Sequence, residues 1–200
     1  MRATLTRLVL VASLLAPRVA TAQPAYGTQA GWTFDLPVDP MGASGFTAAT
    51  SFPSATLGYV DGYPLAGRIL ALNGRSLFLQ RAFGSSDFAV VARLPVDADP
   101  SFVRVSTDGQ QVAVGVGYGK PLYVLPTGVL AMQEPPELDE HPDVLAFDVN
   151  YYDAAWRDGR YLVLNAGWFV GSGLFVLDTF AGSDAEPWPL MEDIAGASAG

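Results

Sequence analysis

The chain has 200 residues, 11 Lys and Arg against 20 Asp and Glu, a formal net charge of −9 and a pI near 4.3. Half the residues are hydrophobic, which argues against a disordered chain, and the acidic balance argues against a general nucleic-acid binder, which neutralises phosphates with Lys and Arg. The absence of Cys and a single His remove disulfide scaffolds, structural zinc, thiol nucleophiles and most His-based catalysis.

Residues 1–22 read as a secretory signal peptide. Arg2 and Arg7 give a positive start, Leu8 to Ala16 is an uncharged apolar run, Pro17 breaks any helix, and Ala20-Thr21-Ala22 offers a small-x-small cleavage site. The alternative, a membrane anchor, needs about 20 apolar residues. Cleavage after Ala22 removes three arginines and no acid, so the expected mature chain carries −12. Such a chain is expected in the periplasm or outside the cell, without membrane insertion after cleavage and without nucleic-acid partners. Residues 23–60 read as an irregular segment, Gly-, Ala-, Ser- and Pro-rich over 37–57, with one alternating stretch, Trp32 to Leu36, as a potential edge strand.

Residues 61–200 are organised by a repeated hairpin. Arg68 to Leu72 and Arg75 to Leu79 flank Asn73-Gly74. Phe102 to Val105 and Gln110 to Val114 flank Asp108-Gly109. Tyr152 to Arg157 and Arg160 to Leu164 flank Asp158-Gly159. Asn and Asp tolerate positive φ and Gly takes it freely, so these dipeptides close hairpins. A further strand follows each, starting at Phe88, Leu122 and Leu174, which lie 14, 13 and 15 residues after the turn glycine. The constant spacing says that one unit is reused. The turn glycines are 35 and 50 residues apart, and the longer interval holds an acidic, proline-broken insertion at 134–143. Short antiparallel strands repeating at this interval predict an all-β protein of β-propeller type with three recognisable blades; a β-sandwich is the alternative.

The segment Val105 to Val114 resembles the inner hairpin of bacterial extracytoplasmic β-propellers, whose NHL-type and gluconolactonase-like repeats share the strand, Asp-Gly, strand cadence. Ile194 to Gly200 resembles the start of another such blade. The resemblance spans roughly residues 64 to 200 and is architectural. The Trp-Asp dipeptide of WD repeats is missing, and no family metal ligand maps onto a named position, so no family site residue is carried over. Three units of three strands do not close a ring of four-stranded blades, and nothing after Asp178 reads as a matching strand. The chain is therefore expected to be an incomplete ring.

In this cadence the Asp-Gly turns lie on one face, and the segments leading into the first strands share the other face with the loops after the second strands. The expected ligand-binding residues on that rim are Arg81, Asp99, Ser101, Tyr118, Lys120, Tyr152, Asp153, Asn165, Trp168 and Phe169. Aromatic side chains there offer flat apolar area with a polar tip. Tyr161 and Trp156, at strand positions, read as packing. Gly115 to Lys120 is not a phosphate loop: Val114 stands where the first Gly is required, and Pro121 where Ser or Thr should follow Lys120. His141 and the acids Glu134, Glu137, Asp139, Glu140 and Asp143 read as a solvated loop, with a Ca²⁺ site as the alternative; no loop with alternating ligands and a central Gly is present.

These features predict a binding or interaction module for a small molecule, glycan or protein, with no cofactor. The alternatives are a metal-dependent hydrolase or lactonase of the propeller class and a structural surface protein.

Overall fold

The computed structural model describes residues 46–166 and 173–190. Residues 1–22, read above as a signal peptide, the Trp32 to Leu36 stretch, Trp168, Phe169 and the terminal 194–200 segment lie outside the described residues. In chain order, β1 (Ala48–Ser51) is followed by a small hairpin of β2 (Tyr59–Val60) and β3 (Tyr63–Pro64), then by β4 (Ile69–Asn73), β5 (Ser76–Gln80) and β6 (Phe88–Arg93). Next come β7 (Phe102–Val105), β8 (Gln111–Gly115), β9 (Leu122–Pro126), a 3-10 helix (Thr127–Ala131) and β10 (Leu145–Phe147). The last four strands are β11 (Asp153–Trp156), β12 (Tyr161–Ala166), β13 (Gly173–Asp178) and β14 (Trp188–Pro189).

The protein is all-β and its sheets are antiparallel. Three are four-stranded meanders, ordered β1-β4-β5-β6, β7-β8-β9-β10 and β11-β12-β13-β14; β2 and β3 form a fourth, two-stranded sheet. The first strands lie side by side, β1 against β7 and β7 against β11. The described strands do not close into a ring.

Apolar continuity in β5 and β8 reflects burial on both faces, whereas β12 buries Leu162 and Leu164 and leaves its alternate residues partly exposed. All five residues of β5 are buried. Leu77 and Leu79 point with Leu70 and Leu72 toward Val103, Val112 and Leu125 of the second sheet. Phe78 points the other way, against Ala71 and Phe88. On the far side of the second sheet, Phe102, Ala113, Leu122 and Phe147 pack on Leu162, Leu164 and Leu177 of the third. Each such leucine contributes about 1.5–3 kcal/mol by leaving water.

The fourth strands were not legible in the sequence. In the first sheet the extra strand is β1, inside the stretch expected to be irregular; in the third it is the two-residue β14, where no strand was expected. The β1 strand displaces the repeat by one. Asp108-Gly109 and Asp158-Gly159 join first to second strands, whereas Asn73-Gly74 joins the second to the third. The first sheet makes its first-to-second connection through residues 52–68, which carry the β2–β3 hairpin. Contacts across the sheets agree: a Cβ on Gly109 would meet Thr56 of that connection, and one on Gly159 would meet Asp108. These three connections therefore share one end of the molecule.

Candidate functional site

At the opposite end, the chain leading into β7 lies on the β8–β9 loop. The Asp99 N–H donates to the Val116 carbonyl (3.0 Å) and the Ser101 N–H to the Gly115 carbonyl (2.9 Å). Glycine is needed for that approach, since a Cβ on Gly115 would stand 2.7 Å from Ser101 Oγ and 2.5 Å from the Phe102 ring. Gly117, at φ 108, would place a Cβ 3.0 Å from the Asp99 carbonyl oxygen. Lys120 turns back to pair with Asp97, and its hydrogen bond and charge hold the Asp97 carboxyl below the usual carboxylate range.

The third sheet joins this rim through Tyr151 and Tyr152. The Tyr151 hydroxyl accepts from the Val116 N–H and donates to the Pro121 carbonyl, both at 3.0 Å. Its ring is buried edge-on against Phe102, with centroids 5.6 Å apart, and burial pushes the phenol up to about 12. The next residue, Tyr152, is about half exposed, and its N–H donates to the Asn165 carbonyl (2.8 Å). Its ring stacks on the equally exposed Tyr118, centroids 5.3 Å apart at 21°. A buried tyrosine thus positions an exposed one, and two sheets each contribute one ring to a shared platform.

The structure brings Asp99, Ser101, Tyr118, Lys120, Tyr152 and Asn165 to one rim. Asp153 is also at the head of β11, but its carboxylate accepts from Arg104 of β7 at 2.9 and 3.2 Å, tying the second and third sheets together. Trp156 Nε1 strengthens the same junction by donating to the Arg104 carbonyl (3.0 Å), so Trp156 packs as expected. Arg81 does not join the rim. Because the first sheet is displaced by one strand, the β5–β6 loop that carries Arg81 and Phe83 emerges at the Asp-Gly end. Asp97, Arg104 and the brace role of Tyr151 were missed. Each works through a partner 23 to 49 residues away in sequence, and no local pattern marks such a partner.

The acidic insertion is only partly solvated. Residues 136–138 lie along the edge of β6, where the Arg93 N–H donates to the Pro136 carbonyl (2.8 Å) and the Leu138 N–H to the Arg93 carbonyl (2.9 Å). Leu138 is buried, and Glu137 pairs with Arg75 at 3.3 Å. Glu134, Asp139, Glu140 and Asp143 are exposed. His141 Nδ1 accepts from the Asp143 N–H (3.2 Å), and its Nε2 lies 3.1 Å from Met132 Sδ. Among the described residues no group of three or more His, Cys, Asp or Glu is arranged to hold a metal ion.

No protein-family model matches the chain, and a search of curated proteins finds no match.

Proposed function

We propose that the chain is an exported binding module whose three meanders are blades of a β-propeller, and that it takes a flat, hydroxyl-rich ligand such as a sugar ring on the Tyr118–Tyr152 platform. The blade reading rests on the meander order of each sheet, with the β2–β3 hairpin inserted between β1 and β4, and on the first strands lying together. Export rests on the sequence of residues 1–22.

The observation that carries the binding reading is the stacked, half-exposed tyrosine pair. Aromatic rings left in water are costly unless something covers them, and a ring face suits the apolar face of a sugar while the phenol tips bond its hydroxyls. Lys120, Asp97, Asp99 and Ser101 stand nearby on the same rim as polar partners.

The test is a glycan-array screen of the purified protein, followed by calorimetric titration of any glycan retained. Tyr118→Ala and Tyr152→Ala should each weaken binding by roughly tenfold or more, the scale of losing an anchoring aromatic. Tyr118→Phe should retain most of it. Absence of any retained glycan, or unchanged affinity in both alanine variants, overturns the proposal.

A further inference from the structure

A cleft of about 430 Å³ lies at the outer edge of the first sheet, away from the tyrosine rim. One wall is β6 and the other is the end of the 3-10 helix with the chain after it. Among the described residues the backbone hydrogen bonds between the two walls are those of Arg93 with Pro136 and Leu138. Toward the other end of β6 no backbone hydrogen bond among the described residues links Phe88 to Ala92 with residues 131–135, and the walls part. Val90 and Met132 offer the space apolar surface, while Phe88 and Leu130, 6% and 1% exposed, meet it only at their edges.

Asp61 and Arg81 both line the cleft. One buried residue locates both. The Arg68 guanidinium, 1% exposed, donates from Nε to the Gln80 carbonyl and from Nη1 to the carbonyls of Val60 (3.1 Å) and Tyr63 (3.3 Å). It thereby fixes the residue before Arg81 and the two residues flanking the Asp61-Gly62 turn. That turn has φ of 54 and 79 at its two central residues, a twist suited to a two-residue hairpin. Among the described residues neither the Arg81 guanidinium nor the Asp61 carboxylate makes a side-chain hydrogen bond or ion pair, and both residues are exposed.

From this arrangement we propose a second site, for a zwitterion with an apolar tail: a free apolar α-amino acid. Arg81 receives the α-carboxylate, in the fork geometry that favours carboxylates. Asp61 receives the α-ammonium, and the side chain lies along Val90 and Met132. The volume falls in the range of small-molecule sites, about 300–1,000 Å³. A simple anionic amphiphile suits the cleft less well, because Asp61 would face its carboxylate with like charge.

The experiment is calorimetric titration of the full chain with L-leucine and L-methionine, and with three analogues: N-acetyl-L-leucine, which lacks the ammonium, L-leucinamide, which lacks the carboxylate, and hexanoate. The amino acids should bind saturably and each analogue more weakly, on the order of tenfold, as loss of one charge-assisted pair implies. Arg81→Gln and Asp61→Asn should each produce a similar loss. Arg81→Gln should leave the melting temperature unchanged, whereas Asp61→Asn should lower it slightly, because the Asp61 charge also favours the buried Arg68 guanidinium while Asn tolerates the backbone of residue 61. Tyr118→Ala should leave this binding unchanged, which separates it from the glycan reading. No saturable binding of either amino acid overturns the proposal. So does equal affinity for hexanoate or N-acetyl-leucine, or unchanged affinity in the two charge variants.

Discussion

The Asp108-Gly109 and Asp158-Gly159 turns share a dipeptide and a place between first and second strands, yet they are held by different physics. At the first, Gly109 is buried with φ 71, and a Cβ there would stand 2.1 Å from Thr56 Oγ1 and 2.6 Å from Thr56 Cγ2. Thr56 Oγ1 is itself buried without a hydrogen-bond partner among the described residues. The buried Ser106 hydroxyl organises the turn, donating to Asp108 (2.6 Å) and accepting from the N–H groups of Gln110 (3.1 Å) and Gln111 (2.9 Å). At the second turn Gly159 lies outside the left-handed region. There the aspartate does the organising: Asp158 Oδ1 accepts from the Arg160 N–H (2.7 Å) and the Tyr161 N–H (2.9 Å). Asp108 Oδ1 also accepts from the Gln110 N–H (3.0 Å), as Asp158 does from Arg160, so that carboxylate contact is common to both turns. What differs is that the first turn adds a left-handed glycine and a buried serine, whereas at the second the carboxylate takes a further N–H in place of the serine. Identical letters do not imply identical constraint.

Gly109→Ala breaks this comparison most forcefully. It places a side chain in the left-handed region and against Thr56, with an expected loss of about 2 kcal/mol by chemical denaturation. Thr56→Ala in the same chain should return part of that loss, because the two sites touch. Recovery of none would assign the whole cost to the backbone.

Gly159→Ala should cost less, below about 1 kcal/mol, since its backbone needs no glycine. The obstacle is the Asp108 carboxylate, whose Oδ2 lies 2.2 Å from the added Cβ position. Equal losses in the two alanine variants would show that the turns are equivalent after all.

The smallest effect is the pH dependence. The N–H groups of Tyr161 and Arg160 hold the Asp158 carboxyl below its usual range. A depressed pKa in the folded chain gives stability that is present above the unfolded value, near 3.9, and is lost as pH falls through the folded one. Asp158→Asn keeps an acceptor oxygen and loses the charge. The stability gap between wild type and this variant should therefore be widest at neutral pH and close as the solution is acidified below about pH 4. A gap independent of pH would show that hydrogen-bond geometry, and not charge, holds the turn.

The hairpins and the strands after them were legible because each is a local pattern of apolar residues and turn chemistry. Phe102 to Val105, Leu122 to Leu125 and Tyr161 to Leu164 fall within observed strands. The displaced first sheet was not legible, since β1 reads Ala-Ala-Thr-Ser and carries little apolar signal. Its strand character comes from pairing with β4. The two-residue β14 is equally a product of its neighbour. Most of the rim was anticipated from loop position alone, but not the stacking of Tyr118 on Tyr152, which depends on Tyr151 crossing between sheets. Arg81 was assigned to the wrong end by a repeat register one strand out. Treating Asn73-Gly74 as equivalent to Asp-Gly caused that error.

The detour between β1 and β4 has a practical meaning for anyone wishing to add to this scaffold. Where its sister sheets turn a corner in a few residues, the first sheet accommodates a long excursion, residues 52–68, that folds into a hairpin of its own and is held by Arg68. The entropy of closing a longer loop grows only logarithmically with length, so a corner of this kind is a natural graft port. Of the two tight corners, Asp158-Gly159 is the better place to open a second one: Gly109 is fixed by its left-handed backbone as well as by Thr56, whereas Gly159 meets the Asp108 side chain alone and the organising atoms at Asp158 can be replaced along with the turn. A binding loop spliced there would project from the end opposite the tyrosine platform and leave that platform open.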